Sequence, residues 1–163
     1  KEKEFTMEDL MEEYKVNPDF AKQWSFIDSR VENTNTVAAD GFSLTLLDIG
    51  EEDETIDILS DTTSDLYMIT SYDLRKANEK GLNKMLDYCE KLIEKGNRVL
   101  IVTASNTEGC AEFLEKYPKA NNFLIYSSDD KSIKTILRSN PGLIQISKGK
   151  VENKWSWRSL PTK

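Results

Sequence analysis

The 163-residue chain holds two cysteines, Cys89 and Cys110, and no histidine. A thiol is its most reactive nucleophile, but thiol exchange needs an accessible thiolate and usually a resolving partner nearby. No Cys-x-x-Cys occurs anywhere in the chain. The missing histidine removes Ser-His-Asp triads, zincin motifs and most transition-metal sites. Seven glycines stand singly, so there is no phosphate loop and no dinucleotide fingerprint. The polar candidates that remain are Ser71 and Tyr72, then Arg75 and Lys76, then Ser139 and Asn140 beside Pro141. Arg75 and Lys76 bring positive charge to an expected helix start, where they either receive a carboxylate or stay solvated. No cofactor and no metal is expected.

The elements that must position these residues follow from periodicity. Leu66-Tyr67-Met68-Ile69-Thr70 is a short apolar run suited to a strand buried on both faces. Asn78 is placed to cap a helix that runs to about Lys95 and stops at Gly96. Leu82, Met85, Leu86, Cys89, Leu92 and Ile93 fall at helical spacing and form its buried stripe. RVLIVTA from Arg98 is a second central strand, and Ser105 or Thr107 opens a helix through Tyr117 that Pro118 closes. Phe123-Leu-Ile-Tyr126 is a third strand, followed by a helix capped between Ser128 and Asp130 and carrying Ile133, Ile136 and Leu137. After Asn140-Pro141 come an apolar strand with Leu143, Ile144 and Ile146, a Lys148-Gly149 turn and a last strand. Strands alternating with helices require parallel pairing with crossovers, and the final hairpin adds an antiparallel edge.

The first forty residues differ in character. Thr6-x-x-Asp9 is expected to cap a helix through Tyr14 that Asn17-Pro18 ends. Residues 24–31 are read as a strand and 31–41 as a polar loop. Phe42-Ser-Leu-Thr-Leu alternates as a half-buried strand does, and Glu51-Glu52-Asp53-Glu54 is expected to be a solvated turn. The domain reading is an extension, 1–40, packing on a core domain, 41–163. The net charge of −7 argues against nucleic acid and anionic membrane surfaces. No apolar run reaches the length of a membrane span. A chain that begins Lys1-Glu2-Lys3 is expected to be a piece of a longer protein.

Helix, Asn140-Pro141, strand and hairpin in that order resemble the C-terminal half of a thioredoxin fold. There a cis-proline opens a strand beside the redox site. The helix and strand between Ser105 and Tyr126 resemble the insertion of peroxiredoxin-like and thiol-reductase-like members. At finer grain, DLYMITSYDLRKANEKGLNKML, RVLIVTAS and LRSNPGLIQISKGKVENKW, with EFTMEDL and WSFIDSR upstream, resemble the C-terminal region of bacterial DoxX-type membrane proteins. That resemblance implies a helical membrane domain ahead of residue 1 and an extracytoplasmic location. It puts the entrance of the first core helix at 72–78, where no residue is cysteine. The thioredoxin-like resemblance implies a cis Asn140–Pro141 bond facing that entrance, with Ser139 and Asn140 offering backbone groups to a bound peptide.

The site expected from these readings is a vestigial binding surface of Tyr72, Arg75, Ser139, Asn140 and Pro141, its partner a protein or peptide. Cys89 and Cys110 sit on apolar stripes and are expected to be buried and not joined to each other. Trp155 and Trp157 share one face of the last strand; exposed they would mark a contact surface, and core packing is expected for at least Trp155. Three functions follow. The first is a non-catalytic interaction module attached to a membrane protein. The second is redox work through one thiol or a partner's thiols. The third is glutathione-type binding with Ser71 or Tyr72 activating the thiol.

Overall fold

The structure, a computed structural model, describes residues 7–17, 19–23, 25, 42–47 and 52–161. The chain divides into two compact units, Lys1–Thr36 and Val37–Lys163. The first holds α1 (Met7–Val16) and α2 (Phe20–Gln23). Between them Asn17 turns the chain, its side-chain oxygen accepting from the Asp19 amide at 3.2 Å. The Tyr14 and Phe20 rings meet with centroids 5.1 Å apart. The Thr6 cap, the strand expected at 24–31 apart from Ser25, and the loop at 31–41 lie outside the described residues.

The second unit is built on one mixed sheet. Its strands are β1 (Thr45–Leu46), β2 (Leu66–Ser71), β3 (Arg98–Thr103), β4 (Leu124–Ser127), β5 (Gly142–Ser147) and β6 (Lys150–Ser156), in the order β1-β4-β3-β2-β5-β6. β2, β3 and β4 run parallel. β5 pairs antiparallel with β2, β6 with β5, and β1 with β4. β2 is buried along its whole length, as its unbroken apolar run requires. Alternation along it feeds two cores. Tyr67 and Ile69 join Leu82, Met85, Leu86, Cys89 and Phe113 on one face, under α4 (Glu79–Glu94) and α5 (Thr107–Lys116). Leu66 and Met68 join Leu44, Val102 and Ile133 on the other, under α6 (Asp130–Ile136), with Ile58 and Leu59 of α3 (Thr55–Ser60) packed against them.

α4 follows its sequence signals closely. The Asn78 side chain accepts from the Gly81 amide at 2.9 Å, and Gly96 ends the helix with a φ of 84°. The stripe stops one residue short of expectation, since Ile93 is 40% exposed while Leu92 points inward. β5 and β6 are joined by Lys148 and Gly149, both at positive φ, the backbone of a two-residue hairpin. Trp155, Trp157 and Leu160 pack against the α4–α5 core, as expected of Trp155.

Three local readings need correction. The strand expected at 42–46 narrows to Thr45–Leu46, because the Leu44 amide donates to Thr55 Oγ1 at 2.8 Å instead of joining a ladder. The acidic run is solvated at Glu52 and Asp53, as expected, and Asp53 is also bonded. Its carboxylate accepts from the Thr55 amide at 3.0 Å, the Leu44 amide at 3.3 Å and the Thr55 hydroxyl, and it holds the start of α3. α3 itself went unanticipated, its TIDILS sequence being short and rich in β-branched residues. The cap of α5 is Asn106, accepting from Gly109 at 3.0 Å, in place of Ser105 or Thr107. Pro118 then opens a 3-10 turn, Pro118–Asn122, before β4.

Candidate functional site

The C-terminal ends of β2 and β3, the entrance of α4 and the loop before β5 converge. β2 ends at Ser71, and the chain passes through Tyr72 and Asp73 into a 3-10 turn, Leu74–Lys76, before Asn78 caps α4. Asp73 shapes the turn by accepting from the Arg75 amide at 3.1 Å. Lys76 sits 2.9 Å from the same carboxylate, and its hydrogen bond is the main reason that carboxyl lies below its ordinary range. The turn is tied to the loop after β3 by the Leu74 amide, which donates to Ser105 Oγ at 2.8 Å.

The proline loop closes against this entrance. The Asn140–Pro141 bond is cis. Asn140 Nδ2 donates to the Asp73 carbonyl at 2.9 Å, and Ser71 Oγ donates to Asn140 Oδ1 at 2.6 Å. The Asn78 amide donates to the Asn140 carbonyl at 3.1 Å. Ser139 Oγ donates to the Pro141 carbonyl at 2.6 Å, which stiffens the loop from within. Asn140 thus faces the 72–78 segment, as expected, while Pro141 is buried at the base of the loop.

The remaining expected site residues go elsewhere. Tyr72 packs on the α6 side of the sheet, with Lys134 Nζ 4.7 Å from its ring centroid. Arg75 turns away toward α5. Its Nε and Nη2 grip the two oxygens of Glu112 at 2.7 and 2.9 Å, and Glu108 lies 3.3 Å from Nη2. Glu112 first, and then Glu108, hold the guanidinium protonated above its usual value. The cations at the helix entrance therefore have partners, Arg75 on α5 and Lys76 on Asp73, and are not the open receivers the sequence allowed. Beside Arg75 a cleft of about 290 Å³ is floored by Phe113 and Tyr117 and rimmed by the Arg75–Glu112 and Lys116–Glu79 pairs.

Both thiols are buried. Cys89 is fully buried in the middle of α4, and burial pushes its thiol up to about 12. Cys110 is 1% exposed, with Sγ 3.7 Å from the Ser105 carbonyl. They do not form a disulfide. Among the described residues no cluster of carboxylates and thiols could hold a metal ion.

Sequence missed the partners that decide the site: Glu108 and Glu112, Ser105 as an acceptor, and Asn78 as a donor to the loop. Only the hydroxyl and amide residues at strand ends hinted at them, since such groups seek backbone partners.

Similar architectures are found among solved structures. A thiol-disulfide oxidoreductase from Bacteroides fragilis matches with a TM-score of 0.52 at 14% identity, over 69% of this chain and 86% of that one. MTB dsbF matches with a TM-score of 0.52 at 15% identity, over 71% and 84%. A secreted Mycobacterium tuberculosis disulfide oxidoreductase homologous to E. coli DsbE matches with a TM-score of 0.51 at 13% identity, over 75% and 85%. The fold is thioredoxin-like. A thioredoxin-like mixed sheet flanked by helices was the expectation from sequence, and identities this low establish the fold alone. No family model matches the chain, and no curated protein does.

Proposed function

We propose that this chain is a non-catalytic thioredoxin-like module that binds protein or peptide and carries out no thiol–disulfide exchange. The observation that carries the reading is the α4 entrance, where residues 72–78 contain no cysteine and the Asn140 amide and Ser71 hydroxyl bond across to the proline loop. The contact surface comprises Ser139 and Asn140, with Pro141 as its buried base and Tyr72 and Arg75 turned aside at its margins. Similar folds bear names of thiol-disulfide oxidoreductases. Redox work through a single thiol would require Cys89 or Cys110 to leave the core. Glutathione-type activation is disfavoured because the Ser71 hydroxyl proton is already donated to Asn140.

We further propose that the module stands on the extracytoplasmic face of a bacterial inner membrane, as the C-terminal part of a DoxX-type protein. The segments that resemble that family support this, as does a secreted protein among the similar folds. No helix among the described residues is long and apolar enough to cross a membrane. On this proposal the anchor is the DoxX domain of the parent. Reading the parent gene upstream of residue 1 tests the anchor. Insulin reduction by dithiothreitol tests the chemistry. Added protein is expected to leave the rate unchanged, and acceleration that disappears in Cys89→Ser or Cys110→Ser overturns the proposal.

A further inference from the structure

Asn140 is bonded through both ends of its side chain and through its carbonyl. Ser71 donates to Oδ1, Nδ2 donates to Asp73, and the Asn78 amide takes the carbonyl. The two side-chain bonds join positions 69 and 67 residues apart, so one amide pins the end of β2 and the 3-10 turn to the proline loop. Pairing with an extended peptide requires a residue to offer N–H and C=O outward together. The carbonyl of Asn140 points instead at the first turn of α4. β5 lies between β2 and β6, so the backbone that could pair with a peptide is that of residue 140, outside the sheet. We infer that Asn140 is a clasp that holds this backbone closed in the free protein, and that an extended peptide partner must release Asn78 to dock there. This rests on the peptide-binding reading above.

A carbonyl has a second lone pair, but that does not remove the constraint. While the side-chain amide is held by Ser71 and Asp73, residue 140 cannot rotate to present its carbonyl to an incoming strand. Opening the clasp breaks all three bonds together and frees the Asn78 amide. Closure is thus a property of the loop and the helix entrance, with the sheet itself unaffected.

Amide hydrogen exchange on the 163-residue chain tests the clasp. Asn140→Asp keeps the acceptor for Ser71 and loses the donor to Asp73, while Ser71→Ala removes the other bond with no added charge. In either variant the Asn78 amide is expected to exchange about tenfold faster, while the Ile101 amide in the central strand stays unchanged. Asn78 exchange equal to wild type in both variants overturns the clasp. The probe for docking is carboxamidomethylated insulin B chain, an extended peptide with no free thiol. It is expected to bind the variants about fivefold more tightly than wild type, the gain that one released hydrogen bond supplies. Faster Asn78 exchange with unchanged probe binding overturns the autoinhibition and counts against peptide docking, while leaving the missing thiol chemistry untouched.

Discussion

Trp157 lies against Gly81 so closely that a methyl group on Gly81 would stand 2.7 Å from Trp157 Cγ and 2.8 Å from its Cβ. Gly81 is the third residue of α4, three positions beyond the Asn78 cap, so the C-terminal segment is seated on the same turn that faces the proline loop. Alanine in a helix is worth about 1 kcal/mol over glycine. Here the contact is with the base of the indole, which has little room to retreat, and overpacking costs about 1–3 kcal/mol. Gly81→Ala is therefore expected to destabilise the protein in urea unfolding. In a Trp157→Ala background the same change is expected to stabilise. Equal effects in both backgrounds would show that the two residues are not coupled.

The Thr70 hydroxyl is buried without a partner, in a residue 2% exposed on the α6 face of β2. An unsatisfied buried hydroxyl costs about 1–3 kcal/mol, and valine has nearly the same shape. Thr70→Val is expected to raise stability by about 1 kcal/mol, read from the shift in urea midpoint at constant slope. A loss of stability would mean that the hydroxyl has a partner in solution.

Asp53 gives a pH dependence with a definite sign. The Thr55 hydroxyl and then the Thr55 amide hold its carboxyl below the ordinary range. A folded-state value below the unfolded one gives stabilisation that is complete above about pH 4, the unfolded value. It is lost as pH falls through the folded value. The stability gap between wild type and Asp53→Asn is therefore expected to be widest near neutrality and to close in acid. A gap that does not vary with pH contradicts this role for the carboxylate.

Local signals were legible in the chain, and pairings across it were not. Asn78 and Gly96 bounded α4 because a cap and a helix stop act on their immediate neighbours. The hairpin followed from Lys148-Gly149, and the cis bond from the resemblance of the elements around Pro141 to a thioredoxin fold. α3 escaped because its six residues have no periodic stripe, and Asp53, which holds its start, reads as one more acid in a charged run. Asn140 was named as a site residue, but nothing near it in sequence indicates Ser71 or Asp73. Arg75 drew attention as a cation at a helix start, and its fate was set by Glu112, 37 residues away. Such choices are made by tertiary packing once the sheet has brought the loops together.

The absence of accessible thiol is the claim on which the functional reading stands, and titration of the native protein with Ellman's reagent at neutral pH tests it most directly. Cys89 lies in the core with its thiol pushed up to about 12, and Cys110 is buried beneath the loop after β3. The expected result is no fast phase in the folded protein and release of colour from both thiols, Cys89 and Cys110, once it is unfolded in guanidinium. A thiol that reacts in the native state at the rate of free cysteine, and is lost in Cys89→Ser or Cys110→Ser, would contradict the non-catalytic reading.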